Sequence, residues 1–295
     1  MRERTWQDAG RTAPPTPGDP ARRLPGSTTV TVLAGVVLLA YVVLVPLLWP
    51  EASSQASLSR ARLAPSAAHW FGTDYAGHDL FVRVAQGLRV SLTIAVLCAL
   101  IATVAGLAVG LTAAALGGRT DAVLMRISDA VNALPHLLLG IVLVALFRGS
   151  LTAIVVSIAV THWPQVARIV RSEALTTRAA EFVDAAYLAG ASRWQVLARH
   201  LLPATLAQAS VAVVLLVPHA IWHESTLSFL GLGLSPDRPS LGTLLQQSRG
   251  EILLGGWWSL AFPALALVVA TLVVSGLASA ARHRWAPLAD EAQVR

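Results

Sequence analysis

Six long apolar runs, nearly free of charge, constrain this chain more than any other feature: 30–49, 90–116, 130–147, 151–169, 205–225 and 259–281. A hydrocarbon core about 30 Å thick is crossed by roughly 20 helical residues, so each run has the length of a membrane span. With 55% hydrophobic residues and only 13% charged ones, lipid must be the solvent for much of the chain. In lipid only helices and closed barrels satisfy the backbone, and the alternating strands of a barrel are absent. The expected fold is an all-α membrane protein of about six transmembrane helices.

Arginine sets the orientation. The chain has no Lys, and with six spans and the N-terminus inside, 15 of the 22 Arg fall inside and 7 outside. Removing one span would move the Arg-rich stretch 168–199 to the outside. The expected location is therefore a cell membrane, multi-pass, with both termini cytoplasmic. The segments read as a disordered cytoplasmic tail (1–29), a first span (30–49), an external segment (50–89), a five-helix core (90–282) and a cytoplasmic tail (283–295). Within the core lies an inside loop, 170–204. The fourth run carries Thr161, His162, Pro164 and Gln165 in its second half, which suits a buried or re-entrant segment. Gly106 and Gly110 stand at GxxxG spacing in the second run, which fits close packing against another helix or a subunit contact.

Several functions are excluded by what is missing. Without Lys there is no GxxxxGK[ST] phosphate loop, no GxSxG elbow appears, and the lone Cys98 supports neither a disulfide nor a thiolate cluster. The net charge of +6 belongs to arginines flanking membrane helices, and no nucleic-acid motif accompanies it. No cofactor is expected, and the chain is not expected to be an enzyme.

His136, His162, His219, His223 and Glu224 fall in or near the spans, where ionisable groups point to function. They are candidates to line a translocation path. His219 and His223 are one helical turn apart, a spacing that also permits metal ligation or simple hydrogen-bonded packing. No metal site is assigned, because Leu227 stands where an HExxH motif needs its second His.

The inside loop predicts a helix from Thr177 to Gly190, with Phe182, Ala185, Ala186 and Ala189 at i, i+3, i+4 and i+7. Thr177 suits the N-cap and Gly190 the left-handed residue that ends the helix. Ser192 caps a second helix running to Pro203. Such an alanine-faced helix can dock in a partner's groove or lie on the bilayer.

The wording of this loop, Glu181-Phe-Val-Asp-Ala-Ala-Tyr-Leu-Ala-Gly190-Ala-Ser-Arg-Trp closing with Arg199-His-Leu-Leu-Pro203, resembles the EAA loop of permease subunits of binding-protein-dependent ABC importers. Asp184-Ala185-Ala186 stands where the family has Glu-Ala-Ala. The stretch from His69 through Gly72-Thr-Asp74 and Gly77-His-Asp79, followed by Arg89-Val-Ser-Leu, is similar to the segment before the second span in dipeptide, oligopeptide and nickel permeases. So is Leu227-Ser-Phe-Leu-Gly231-Leu-Gly233 with Pro239-Ser-Leu-Gly242. His78 replaces the family's usual Arg, and Arg282-His-Arg-Trp stands where the family has an Asp-Pro-rich ending. The resemblance covers 30–282 and fits the second permease of such systems.

It implies a permease that translocates di- or oligopeptides, or nickel complexes, delivered by an external binding protein. The implied partners are a second permease subunit and two cytosolic ATPases, with Glu181, Asp184, Ala185, Ala186, Gly190 and Ser192 coupling to the ATPase. From the residues alone, two rivals remain: a self-sufficient secondary transporter or channel, and a membrane metalloenzyme built on His219, His223 and Glu224.

Overall fold

A computed structural model describes residues 26–49, 56–147, 149–235 and 238–294. The expected disordered tail lies, as far as residue 25, outside the described residues. Chain order runs through α1 (Gly26–Leu48), α2 (Leu80–Leu116), α3 (Gly118–Ala133), α4 (His136–Leu146), α5 (Leu151–Arg178), α6 (Glu181–Leu188), α7 (Arg193–Val196), α8 (Leu202–Phe229), α9 (Leu241–Ile252) and α10 (Trp258–Val294). No strand interrupts them among the described residues, apart from two isolated bridges. Among the described residues, five helices are long and apolar enough to cross a membrane, or six if the bent pair α3 and α4 counts as one span.

The centre of the bundle is α2, packed against α5 and α8. Gly106 and Gly110 make this possible. A Cβ on Gly106 would meet Val166 Cβ at 2.5 Å and Trp163 O at 2.8 Å, and one on Gly110 would meet Ala167 O at 2.5 Å. The small-residue stripe therefore serves a contact inside the chain, with α5. Helix α1 is peripheral: it touches α10 and α2, and most of its apolar side chains are exposed to what must be lipid.

One expectation about the spans is narrowed and one changes. The fourth run is the buried alternative and not the re-entrant one: α5 is one helix of 28 residues, with Pro164 buried inside it. Proline removes one backbone hydrogen bond, but Thr161 Oγ1 donates to Ser157 O and Ile158 O, and His162 Nδ1 lies 2.8 Å from Ile158 O, so the preceding turn is reinforced. The break falls instead in the third run, where Leu134 and Pro135 leave the helical region and α3 and α4 meet at 84°. Proline forces its preceding residue toward extended backbone, which ends α3 there. Ion pairs of Asp121 with Arg171 and of Asp129 with Arg168 (3.2 Å) then fasten α3 to the far half of α5.

At one end of the bundle the chain folds into a cap over the first residues of α2. Asp79 N-caps α2 by accepting from Phe81 N (2.8 Å) and faces His69 Nδ1 at 2.8 Å. Asp74 accepts from the amides of Ala76 (2.9 Å) and His78 (2.8 Å), lies 2.9 Å from His78 Nδ1, and pairs with the buried Arg83 guanidinium. His78, the departure from the family pattern, thus sits on the same carboxylate as Arg83. Trp258 Nε1 donates to Thr73 O (3.1 Å), which ties the cap to the start of α10.

Helix α9 closes the same end. Ser240 and Thr243 form a reciprocal capping box at its start. Near its end Glu251, only 3% exposed, accepts from Tyr75 N through Oε1 (3.1 Å) and leaves Oε2 without a hydrogen-bond partner. Burial raises the Glu251 carboxyl above its ordinary value, opposed by the Ser259 side chain and, less, by the Tyr75 amide. The folded protein therefore holds this proton longer than the unfolded chain does. Its stability is full below the ordinary glutamate value and is lost as pH rises through the raised one.

Two predictions follow from packing and burial. Gly106→Val forces α2 off α5 and should destabilise the protein by about 2 kcal/mol or more, read as a lowered melting temperature in detergent. Glu251→Gln keeps the Tyr75 contact without the charge. Its melting temperature should fall less than that of the native chain between about pH 4 and pH 7; equal falls refute the burial argument.

Candidate functional site

Two features carry the functional reading, one at the break in the membrane run and one at the end of the bundle away from the cap. At the break, His136 opens α4 directly after Pro135. His162 lies midway along α5, with its ring 5.6 Å from that of His136 and 4.8 Å from that of His223 on α8, edge to face at 89°. Three elements thus bring three histidines from distant parts of the chain together. His219, one turn before His223, is exposed, with Nδ1 3.3 Å from Leu215 O. Because α4 has only 11 residues and begins level with the middle of α5, it accounts for about half a membrane's thickness.

Glu224 stands apart from the histidines. It is fully buried and faces the other side of α8, where Ser91 Oγ (2.7 Å) and Ser228 Oγ (2.8 Å) donate to its carboxylate. Ser91 Oγ also accepts from Leu241 N (3.2 Å) at the start of α9. One carboxyl group therefore ties α2, α8 and α9 together, a positioning role that satisfies a polar group otherwise costly to bury. Gly242 permits the approach: a Cβ there would meet Ser225 O at 2.6 Å. Among the described residues, no group of three or more His, Cys, Asp or Glu is placed to hold a metal ion.

The surface loop departs from the expected boundaries. The buried stripe of α5 continues through Val170, Ala174 and Thr177, so Thr177 belongs to α5 and is not an N-cap. Arg178 Nη1 donates to Ala114 O (2.6 Å), pinning the end of α5 to the end of α2. The chain turns at Ala179 and Ala180, and α6 starts at Glu181. Gly190 adopts φ +89 and Ala191 N bonds back to Ala186 O (3.0 Å), the left-handed ending that was expected.

Ser192 caps α7 reciprocally with Gln195, again as expected. The second helix does not stop at Pro203. A π-type turn at Leu197–Leu201, in which Leu202 N bonds to Leu197 O, widens the helix so that the proline ring clears the turn before it, and the chain runs on into α8.

The loop is anchored by few residues and presents many. Val183 and Val196 are fully buried, and Leu201 nearly so. Glu181, Asp184, Ala185 and Gly190 are exposed, and Ala186 is half-buried. Leu188 is 91% exposed and Trp194 75%, with Phe182 and Tyr187 beside them. Leu188 and Trp194 escaped the sequence reading, which followed the alanine spacing. Large apolar residues two before and four after the helix-ending glycine were the available signal.

Residues 102–286 match the family of the binding-protein-dependent transport system inner membrane component. The chain belongs to this family. It is 40% identical over 236 residues to the dipeptide transport system permease protein DppC of Bacillus subtilis (strain 168), covering 79% of this chain and 74% of that one. It is 32% identical over 237 residues to the glutathione transport system permease protein GsiD of Pectobacterium atrosepticum, covering 80% of this chain and 78% of that one. Among solved structures, an inward-facing form of the MetNI methionine ABC transporter shares the fold, with a TM-score of 0.56 and 19% identity over 68% of this chain and 95% of that one. The permease is thus an ABC importer component of the dipeptide and oligopeptide branch, a multi-pass membrane protein and a transport subunit rather than an enzyme.

The serine-held carboxylate of the permease can be tested directly. Glu224→Ala leaves Ser91 and Ser228 buried without their acceptor, and the loss should be about 2 kcal/mol in a chemical melt, with Glu224→Gln milder. Equal stability of all three proteins refutes the tie between α2, α8 and α9.

Proposed function

We propose that this permease is one of two non-identical membrane subunits of an ATP-driven importer that moves di- or oligopeptides handed over by an external binding protein. Peptide is favoured over a nickel complex by the relatives, which carry dipeptide and glutathione transport in their names. The chain faces the cytosol with both termini and with the loop of α6 and α7, an orientation supported by the Arg distribution. Two cytosolic ATPases supply the energy.

The observation that carries this reading is the loop's division of labour. Val183 and Val196 fix it to the bundle, while Leu188 projects with almost no contact to its own chain and Trp194 is three-quarters exposed. Exposed apolar side chains on a rigid, charged surface suit burial in a partner's cleft. Glu181, Asp184, Ala185, Ala186, Gly190 and Ser192 shape and flank that surface. The ties from Arg178 to α2 and from Arg168 and Arg171 to α3 give its movement a route to the break at Pro135. The exposed or half-buried histidines 136, 219 and 223 then line the path against the second permease, with His162 supporting them from behind.

Leu188→Asp tests the docking surface without disturbing the fold, since Leu188 packs on almost nothing. Uptake by the complete transporter should fall at least about tenfold while the melting temperature of the permease holds. Normal uptake refutes the docking role. Gly190→Asp should also abolish uptake in a protein that still inserts. For the path, Cys98 is buried and gives a clean background; a cysteine at position 219 should react with a water-soluble maleimide, and protection of it in the assembled, substrate-free transporter refutes the lining role. Transport by the purified chain alone would favour a secondary transporter instead.

A further inference from the structure

The four histidines at the break raise a question that lining a path does not answer: how many of them can be charged at once. His162 sits between His136 and His223 at ring distances of 5.6 Å and 4.8 Å. Its Nδ1 lies 2.8 Å from Ile158 O, and that of His219 lies 3.3 Å from Leu215 O. A carbonyl only accepts, so each Nδ1 carries the hydrogen, and in the neutral ring Nε2 keeps a free lone pair. A protonated ring set edge to face on a neutral one is attracted to it, as a cation is to an aromatic face. Two protonated rings at these distances repel.

Among the described residues no counter-charge offsets that repulsion. The charged or titratable groups acting on His162 and His223 are other members of the cluster: His136 from α4, His162 from α5, and His219 and His223 from α8. From α2, Cys98 directs its sulfur to Val155 O, and Glu224 on α8 is turned away to Ser91 and Ser228. Arg168 and Arg171 lie two turns along α5 and are paired with Asp129 and Asp121 on α3. Meanwhile α4 is short, follows a break, and rests mainly on α5.

We propose that His136, His162, His219 and His223 form a proton-binding site that tolerates one proton while packed and is forced apart by a second, so that acid loosens α4 and α8 from α5 and slows the transporter. The inference needs the cluster and the broken span. Only its effect on transport rests on the importer reading.

Two measurements on the complete transporter in lipid nanodiscs test it. In the native protein, hydrogen exchange across 137–146, corrected for intrinsic rates, should rise at least about threefold between about pH 7.5 and pH 5.5. In His223→Gln the rise should be less than half as large, and His136→Gln, altering a half-exposed ring, repeats the comparison if the first variant folds poorly. ATP hydrolysis stimulated by the binding protein should fall by a similar factor over the same pH step in the native complex and less in the variants. The ATPases are common to all three complexes, so their own pH response cancels. No rise in native exchange, or the same rise in native and variants, overturns the site. Exchange that behaves as expected while hydrolysis shows no difference overturns the slowing alone. A complex with no permease-dependent hydrolysis at either pH marks failure of the importer reading, with the exchange result still deciding the proton site.

Discussion

The close approach of α2 and α5 at Gly106 and Gly110 is the contact on which the rest of the structure depends. In lipid there is no hydrophobic drive between helices, so association relies on packing and on polar ties. Bringing Val166, Ala167 and Val170 against the bare backbone of α2 supplies the packing. Once these two helices are joined, α8 can lie against both, and Ser91 on α2 comes within reach of Glu224. Arg178 can likewise reach the last carbonyls of α2. The polar ties are at the two ends of a packed seam, and neither would find its partner if the seam were wider.

Rigidity along that seam gives the break its meaning. Helices α2, α5 and α8 form a frame, whereas α3 and α4 attach to it differently. The first is fastened by ion pairs near the loop end, and the second rests on α5 through Gly140 and Ser157 near the middle. An 84° bend between them means that a shift of α3 need not be copied by α4. Concentrating histidines at such a joint puts polar, hydrogen-bonding rings where the backbone itself departs from helical form, the one arrangement that lipid tolerates only beside protein or water.

Much of this was legible in the sequence, and the failures share a cause. Run length and Arg placement led to the right class and about the right number of spans. Gly190 and Ser192 were readable because cap geometry is local. The effect of a proline was harder to read because it is not local. Pro164 sits in a helix buried on most sides, where Thr161, His162 and the surrounding bundle compensate; Pro135 follows a helix whose charged face is held outside the frame. Polar residues next to Pro164 suited a re-entrant segment as well as a buried one, yet here they repair the turn. The loop boundary failed in the same way, since Thr177 is a good cap by type but is buried by the continuing stripe of α5.

Glu224 and the histidines were one group in the sequence and are two in space. Residues 223 and 224 are neighbours, but on a helix adjacent side chains point about 100° apart, and here that angle separates two environments. His223 looks toward α5 and the joint, and Glu224 toward α2 and α9. The serines that hold Glu224 keep its carboxyl turned away from the histidine cluster, so among the described residues the cluster has no internal counter-ion. The same carboxyl that joins α8 to α2 and α9 therefore leaves the joint to the imidazole rings, and the two features are a single consequence of how α8 is turned.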